Sequence, residues 1–480
     1  MNYIELSVFI AYFVFMVAIG LYFFSKSKGA GEKDYFLGGR NMGAWVSALS
    51  AGASDMSAWV LMGLPASIYL SGMGQTWIAI GLGIGYAVSW IFMAPRLRRF
   101  SIAANDSITI PQYLTNRFLS KNKSLQILSA IIFLVAYTIY AASSIKACGT
   151  LFNTVMDIDP TVAMYIAAFI IVAYTFLGGF SAVCWTDFFQ GMIMLAALLI
   201  APLFALALAK AGDGAATLPD GFFNFFTTPQ DIISGLGWGL GYFGMPHIII
   251  RFMSLKSEKE LRKSSVIGIS WTTIILIMSA LTAIAGRLYL GEIEDSSTVF
   301  ITMVRRIFPA LVSGLLLSAI LSAAMSTADS QLLAASSAFA SDVYKPVIRK
   351  KASDSEMLWA GRIVVIVIAV VALMIASDPN SGSIMGLVEN AWGVFGAAFG
   401  PVILLSLFWK RLTFGGTVAG IAAGAAVDIL WLVFLSSTDI YEIVPGFAAG
   451  LLAAVVVSLL SKGPGKDVED LFDRAVDLKS

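Results

Sequence analysis

Apolar stretches of about 20 residues recur along almost the whole sequence, and each is long enough to carry a helix across ~30 Å of hydrocarbon. Nothing else constrains the fold as strongly. In lipid each backbone N–H and C=O needs a partner within the chain, and a continuous apolar run meets that demand as a helix. Composition agrees: 58% of the 480 residues are hydrophobic and 13% are charged, against roughly 25% charged in a soluble chain. The expected fold is an all-α polytopic membrane protein. A net charge of +1 offers nothing to nucleic acid. Cys148 and Cys184 both fall inside apolar segments, which argues against a disulfide framework. The first run, Ile4 to Phe24, has no basic leader and no small-residue cleavage site, so it is expected to remain as a span.

Thirteen spans are expected, near 4–24, 43–70, 74–95, 125–156, 161–178, 186–210, 231–253, 266–290, 309–342, 357–376, 384–408, 415–436 and 441–461. Basic residues sort by loop. Lys26, Lys28, Lys33 and Arg40 follow the first span; Arg96, Arg98, Arg99, Arg117, Lys121 and Lys123 follow the third. Arg251, Lys256, Lys259, Arg262 and Lys263 follow the seventh; Lys345, Arg349, Lys350 and Lys351 the ninth; Lys410 and Arg411 the eleventh. The alternate loops, such as GDGAATLPDG at 212–221, are poor in Lys and Arg, with Arg305 and Arg306 as exceptions. The positive-inside rule then places the N-terminus outside and the C-terminus in the cytoplasm. Residues 1–462 read as one transmembrane domain, and 463–480 as a cytoplasmic tail able to form a short surface helix.

Two spans weaken themselves. ALSAGASDMSAWVLMGLP at 48–65 carries Asp55, Ser50, Ser54 and Ser57 among glycines and a proline. ISGLGWGLGYFGMPHIIIRFM in the seventh span places Gly235, Gly237, Gly239, Gly241 and Gly244 before Pro246. Glycine costs roughly 1 kcal/mol in a helix interior and proline roughly 3. The bland reading is close helix packing through small residues. Yet the two segments lie five spans apart, the offset at which inverted-repeat transporters place their broken helices and their binding sites. A third element, GLLLSAILSAAMSTADSQLLAASSAF, sets Ser326 and Thr327 near mid-membrane. Each hydroxyl could simply bond back to a carbonyl one turn earlier. Beside a broken helix, two hydroxyls and freed carbonyls would suit Na⁺, a hard cation with oxygen ligands; Ca²⁺ would normally take more carboxylates. His247, the only histidine, reads as a packed residue rather than a proton relay.

YFLGGRNMGAW at 35–45, SAGASDMSAW at 50–59, GGFSAVCWTDFFQ at 178–190, GWGLGYFGMPHI at 237–248 and ILSAAMSTADSQLL at 320–333 resemble the sodium:solute symporter family, and within it the proline-transporting branch. The likeness runs from about residue 5 to 462. It implies a leucine-transporter-type 5+5 inverted-repeat core, with repeats near 41–213 and 228–411, and a carrier that couples Na⁺ entry to L-proline uptake by alternating access at the cell membrane. By resemblance, Ala53, Met56 and Ala323 supply backbone carbonyls to sodium, and Ser326 and Thr327 supply hydroxyls. Asp55, Ser57, Trp59, Tyr140, Trp238, Tyr242 and Pro246 match substrate-cavity and gating positions. Asp187 matches a second-cation position; with Asp329 and Ser330 it forms a possible second site, or the two carboxylates are solvated in an inner vestibule. The partners implied are a zwitterion, Na⁺ and the lipid bilayer, with no other cofactor and a functional monomer. Met245 stands where some members of that branch carry glutamine, so another small amino acid or organic solute, driven by sodium or protons, is the alternative.

An enzyme is the rival class. It would need an activated nucleophile, a metal cluster or a phosphate loop, and the sequence offers none. A channel would want a continuous polar pore, whereas the polar residues here gather at the two breaks.

Overall fold

The computed structural model describes residues 2–26, 32–177, 179–211 and 218–478. Lys28, Gly178 and residues 212–217 of the GDGAATLPDG loop lie outside the described residues. The chain is 84% helix, and the one strand-like contact among the described residues is an isolated bridge between Met42 and Leu255.

Ten helices among the described residues are long and apolar enough to cross a membrane. The other three expected spans are two interrupted segments and one helix of 18 residues. In chain order, α1 is Tyr3–Lys26. The first interrupted segment is α2 (Ala44–Asp55) and α3 (Gly63–Ser71). Then come α4 (Thr76–Val88), α5 (Ser124–Met156), α6 (Pro160–Leu177) and α7 (Phe180–Ala211). The second interrupted segment is α8 (Pro229–Gly237) and α9 (Pro246–Ser254), joined by a 3₁₀ stretch, Trp238–Phe243. After it follow α10 (Glu258–Leu290), α11 (Ala310–Ser337), α12 (Asp354–Ser377), α13 (Ile384–Phe408), α14 (Phe414–Phe434) and α15 (Ile443–Leu460). A last amphipathic helix, α16, is Lys466–Asp477.

Several charges assigned to loops by the sequence are buried instead. Arg40 donates to Asp106 Oδ1 at 2.8 Å and to the carbonyls of Met253 at 2.6 Å and Ser107 at 2.9 Å. Arg98 donates to the Leu255 and Lys256 carbonyls. Arg117 donates to the Ser406 and Val468 carbonyls and lies over the Phe472 ring. Guanidinium groups suit this work because they carry five donors in a rigid fork. The tail forms the expected short helix and packs on the body: Val468, Leu471, Phe472 and Ala475 of α16 are buried, and Lys410 pairs with Asp473 at 2.5 Å. Arg305, an exception to the charge pattern, pairs with Glu5 at 3.5 Å and donates to the Thr154 carbonyl at 2.9 Å.

α4 and the second interrupted segment meet backbone to backbone. A Cβ added at Gly81 would stand 2.2 Å from the Gly235 oxygen, and one at Gly85 would stand 2.2 Å from the Gly239 oxygen. Small residues allow such an approach, and packing is what holds helices together in lipid. Gly83, between them, faces ordinary space, with Leu276 Cδ1 at 3.8 Å. Gly85→Ala is therefore expected to destabilise the protein by about 1–3 kcal/mol through overpacking, and Gly83→Ala to leave it unchanged. Melting in detergent by tryptophan fluorescence checks the pair; equal midpoints for both variants would refute the close-contact argument.

Candidate functional site

α2 stops at Asp55 because Met56 leaves helical geometry, at φ −77° and ψ 71°. The Ser57 N–H then bonds to the Asp55 carbonyl at 2.9 Å rather than reaching back to Ala53. That frees the Ala53 carbonyl, and the Ser326 hydroxyl on α11 donates to it at 2.8 Å. Ser57 caps the short turn that follows, accepting from the Trp59 N–H at 3.5 Å, while Trp59 Nε1 donates to the Asp55 carbonyl at 3.2 Å. All of these residues are buried.

The second break answers the first. Thr228 and Asp231 form a capping box that starts α8, the glycines loosen its end into the 3₁₀ stretch, and Pro246 opens α9. Proline is well placed there, since the first helical N–H has no partner to lose. From the 3₁₀ stretch the Tyr242 hydroxyl donates to Asp55 Oδ2 at 2.5 Å. From α9, His247 Nε2 donates to the freed Ser54 carbonyl at 3.2 Å. Because a carbonyl only accepts, Nε2 carries the proton. The Tyr137 hydroxyl accepts from the His247 backbone N–H at 3.0 Å and lies 3.4 Å from Nδ1. His247 is thus a partnered structural bridge between the two breaks.

Three buried oxygens at the junction have no hydrogen-bond partner: Asp55 Oδ1, Thr327 Oγ1 and the Tyr140 hydroxyl. Thr327 makes no bond back to its own helix, whereas Ser326 touches the Ala323 carbonyl at 3.3 Å. A buried polar atom left unpaired calls for an explanation, and a bound ion or solute is one. Ala53, Ser326 and Thr327 form a neutral oxygen set, with Asp55 close by in sequence to balance one positive charge. This set can hold a desolvated monovalent cation. Met56 is buried at the break, on the residue where the helix turns away.

Aromatic rings surround Asp55 on its other side. Tyr140 on α5 lies close to Ser57 and Trp59 without hydrogen-bond geometry. Tyr242 packs edge-on against Tyr86 at 5.2 Å and Trp392 at 5.1 Å. Trp238 stacks at 6.5 Å with Trp392, whose Nε1 donates to the Trp238 carbonyl at 2.8 Å. Two broken helices, α5 and α11 therefore converge on one buried, partly polar junction.

Asp187 and Ser330 come together one layer away, around a group assigned by the sequence to a loop. Arg251 sits in α9 with 1% exposure. Its Nη2 lies 3.2 Å from Asp187 Oδ2 and donates to Ser330 Oγ at 2.5 Å, and its Nε donates to Ser50 Oγ at 3.2 Å. Ser50 donates to the same Asp187 oxygen at 2.7 Å. A guanidinium thus supplies the positive charge beside Asp187. Asp329 is equally buried, near Tyr12 and Cys184. Neither carboxylate is solvated. The sequence gives no sign of Trp392 at this junction, and it shows Ser50 only as one of the polar residues of the first break and Arg251 only as a loop charge. The available signal was an arginine embedded in IIIRFM, an apolar run that a loop would not carry.

A model of the sodium:solute symporter family matches residues 35–424. The high-affinity proline transporter PutP of Bacillus subtilis is 44% identical over 476 residues, covering 97% of this chain and all 100% of that protein. A sodium/proline symporter of Haemophilus influenzae is 44% identical over 495 residues, covering 98% and 97%. Among solved structures, a Na⁺-coupled sialic acid symporter in a substrate-bound outward-open state aligns with a TM-score of 0.79 at 20% identity, covering 96% of this chain and 99% of that one. Mhp1, a nucleobase-cation-symport-1 family transporter in a closed conformation with bromovinylhydantoin bound, aligns at 0.58 and 16% identity, covering 91% and 97%. The fold is accordingly the leucine-transporter type, and the chain belongs to the sodium:solute symporter family.

Proposed function

We propose that this chain couples the entry of Na⁺ to the uptake of L-proline. The observation that carries the reading is the pairing of a freed carbonyl with a hydroxyl-bearing helix: Ala53 at the break of α2 against Ser326 on α11, with Thr327 unpaired beside it. Relatives at 44% identity over nearly the full length that are named for proline transport support the substrate. Sodium is held by the carbonyls of Ala53, Met56 and Ala323 and by the Ser326 and Thr327 hydroxyls. Proline lies against Asp55, Ser57, Trp59, Tyr140, Trp238, Tyr242 and Pro246, its ring on aromatic faces. Its carboxylate meets backbone N–H groups at the breaks, since helix N-termini attract anions. If a second cation binds at Asp187, Asp329 and Ser330, it does so with Arg251 displaced from Asp187.

The proposed topology has thirteen spans in a monomer at the cell membrane, with the N-terminus outside, the C-terminus in the cytoplasm and repeats at 41–213 and 228–411. Coupling follows from linkage. The ion ties α2 to α11 and favours the state that binds solute, and the solute must favour ion binding by the same factor. Proline has no net charge, so one Na⁺ carries one charge inward and gains ~2.3 kcal/mol per 100 mV. At about 1.4 kcal/mol per decade, this supports roughly fiftyfold accumulation per 100 mV.

Radiolabelled proline uptake into proteoliposomes tests the reading, with Na⁺ exchanged for K⁺ or choline and unlabelled amino acids as competitors. Uptake that tracks pH and ignores Na⁺ would move the carrier to the proton-coupled class. Thr327→Ala removes one cation ligand and is expected to raise the Na⁺ concentration for half-maximal uptake by roughly tenfold, the worth of about one hydrogen-bond-scale contact. An unchanged sodium titration would remove this site. Tyr242→Phe removes the hydroxyl that faces Asp55. It is expected to raise the half-saturating proline concentration by about tenfold or more, as for a hydrogen bond to a charged group; a wild-type value would take Tyr242 out of the solute pocket.

A further inference from the structure

Away from the cation and solute pockets, α13, α14 and the head of α15 bring two acids together. Asp428 on α14 has 0% exposure, and Glu442, the residue before α15, has 6%. Both oxygens of Asp428 and Oε1 of Glu442 are buried without a hydrogen-bond partner. Gly393 on α13 leaves the room between them. A Cβ there would stand 2.9 Å from Asp428 Oδ1, 3.5 Å from Oδ2 and 3.3 Å from Glu442 Cγ. Both unpaired Asp428 oxygens and the Glu442 side chain therefore border the backbone at Gly393.

No basic side chain answers these charges. Among the described residues, no ion pair includes Asp428 or Glu442. The remaining titratable groups at this face are Glu389, half-buried one turn before Gly393 on α13, and Tyr441, whose hydroxyl donates to the Glu389 carbonyl at 2.8 Å. The 3₁₀ stretch Trp238–Phe243, packed nearby, holds no charged residue. Adjacent carboxylates removed from water strongly disfavour a second negative charge, and an uncompensated buried charge is costly. A bound cation would relieve both. A metal ion would want more oxygens, and the described residues hold no group of three or more acidic, histidine or cysteine side chains able to ligate one. A proton needs only two.

The geometry points to a proton-binding site shared by Asp428 and Glu442, separate from the cation and solute pockets. Exposure rises from Asp428 through Glu442 to half-buried Glu389. The site also touches the proposed solute pocket. The Tyr441 ring lies 5.0 Å from Trp238, and the Tyr441 N–H donates to Ser234 on α8 at 3.0 Å. Protonation is thus placed to bias the segment that presents Trp238 and Tyr242. This last step rests on the proposed function; the site itself does not.

Infrared difference spectroscopy of the purified protein in lipid, titrated from about pH 5 to pH 9, reads the protonation of the pair directly. A protonated-carboxyl band that titrates in the wild type, is lost in Asp428→Asn and is altered in Glu442→Gln is the expected result. Identical spectra in wild type and Asp428→Asn overturn the proposal. So does a band abolished at constant pH by Na⁺, which would mark a sodium site. If Asp428→Asn fails to fold, Glu442→Gln decides by the same criterion. In sodium-driven uptake, one linked proton would change half-saturation by at most about tenfold per pH unit. Asp428→Asn is expected to retain sodium-driven uptake and to flatten that dependence, and an unchanged pH profile in it overturns the coupling. Absence of proline uptake in the wild type would count against the proposed function alone, because the spectroscopic arm requires no transport.

Discussion

An unpaired backbone group in hydrocarbon costs several kcal/mol, and this molecule is arranged around the few it leaves open. Ending α2 at Asp55 takes the carbonyls of Ala53 and Ser54 out of the helical ladder. Neither is abandoned: Ser326 reaches one from α11 and His247 reaches the other from α9. The same bonds that satisfy the break also fix which helices surround it. A break satisfied by side chains from two other helices is a junction that an ion or solute can compete for. An unbroken α2 would offer only its own side chains.

The second break takes its orientation from α4. Its glycines let α8 and the 3₁₀ stretch lie directly on α4, with no side chain between backbones at Gly81, Gly85 and Gly239. That contact holds Tyr242 where its hydroxyl meets Asp55. The glycines thus weaken the helix locally and position the functional residue across the junction. Charge follows a similar economy. Arg40, Arg98 and Arg117 satisfy buried carbonyls at helix ends, and Arg251 neutralises Asp187 beside the hydroxyls of Ser50 and Ser330.

Much of this was legible from the chain. The all-helical membrane fold, both breaks and the Ser326–Thr327 pair follow from local pattern: run length, glycine and proline clustering, and polar residues in apolar surroundings. The resemblance to symporters added Tyr140, Trp238 and Asp187, which have no distinctive local setting. Arg251 reads as a loop charge because it follows a long apolar segment, and the sequence does not show that α9 restarts at Pro246 and continues through it. Asp428 and Glu442 carry no local signal for a related reason. They are 14 residues apart in sequence and meet only because α14 and α15 pack against Gly393.

The sequence by itself determined that the chain is helical, that it belongs in a membrane and where two of its helices fail. Those properties depend on each segment's own hydrophobicity and backbone preferences, which act over a few turns. Tertiary structure alone decided which oxygen meets which hydroxyl, which arginine is buried and which acids are left without a cation. A polar group's partner in a low-dielectric interior is set by helices far apart in sequence, and its energy is fixed only once they have packed.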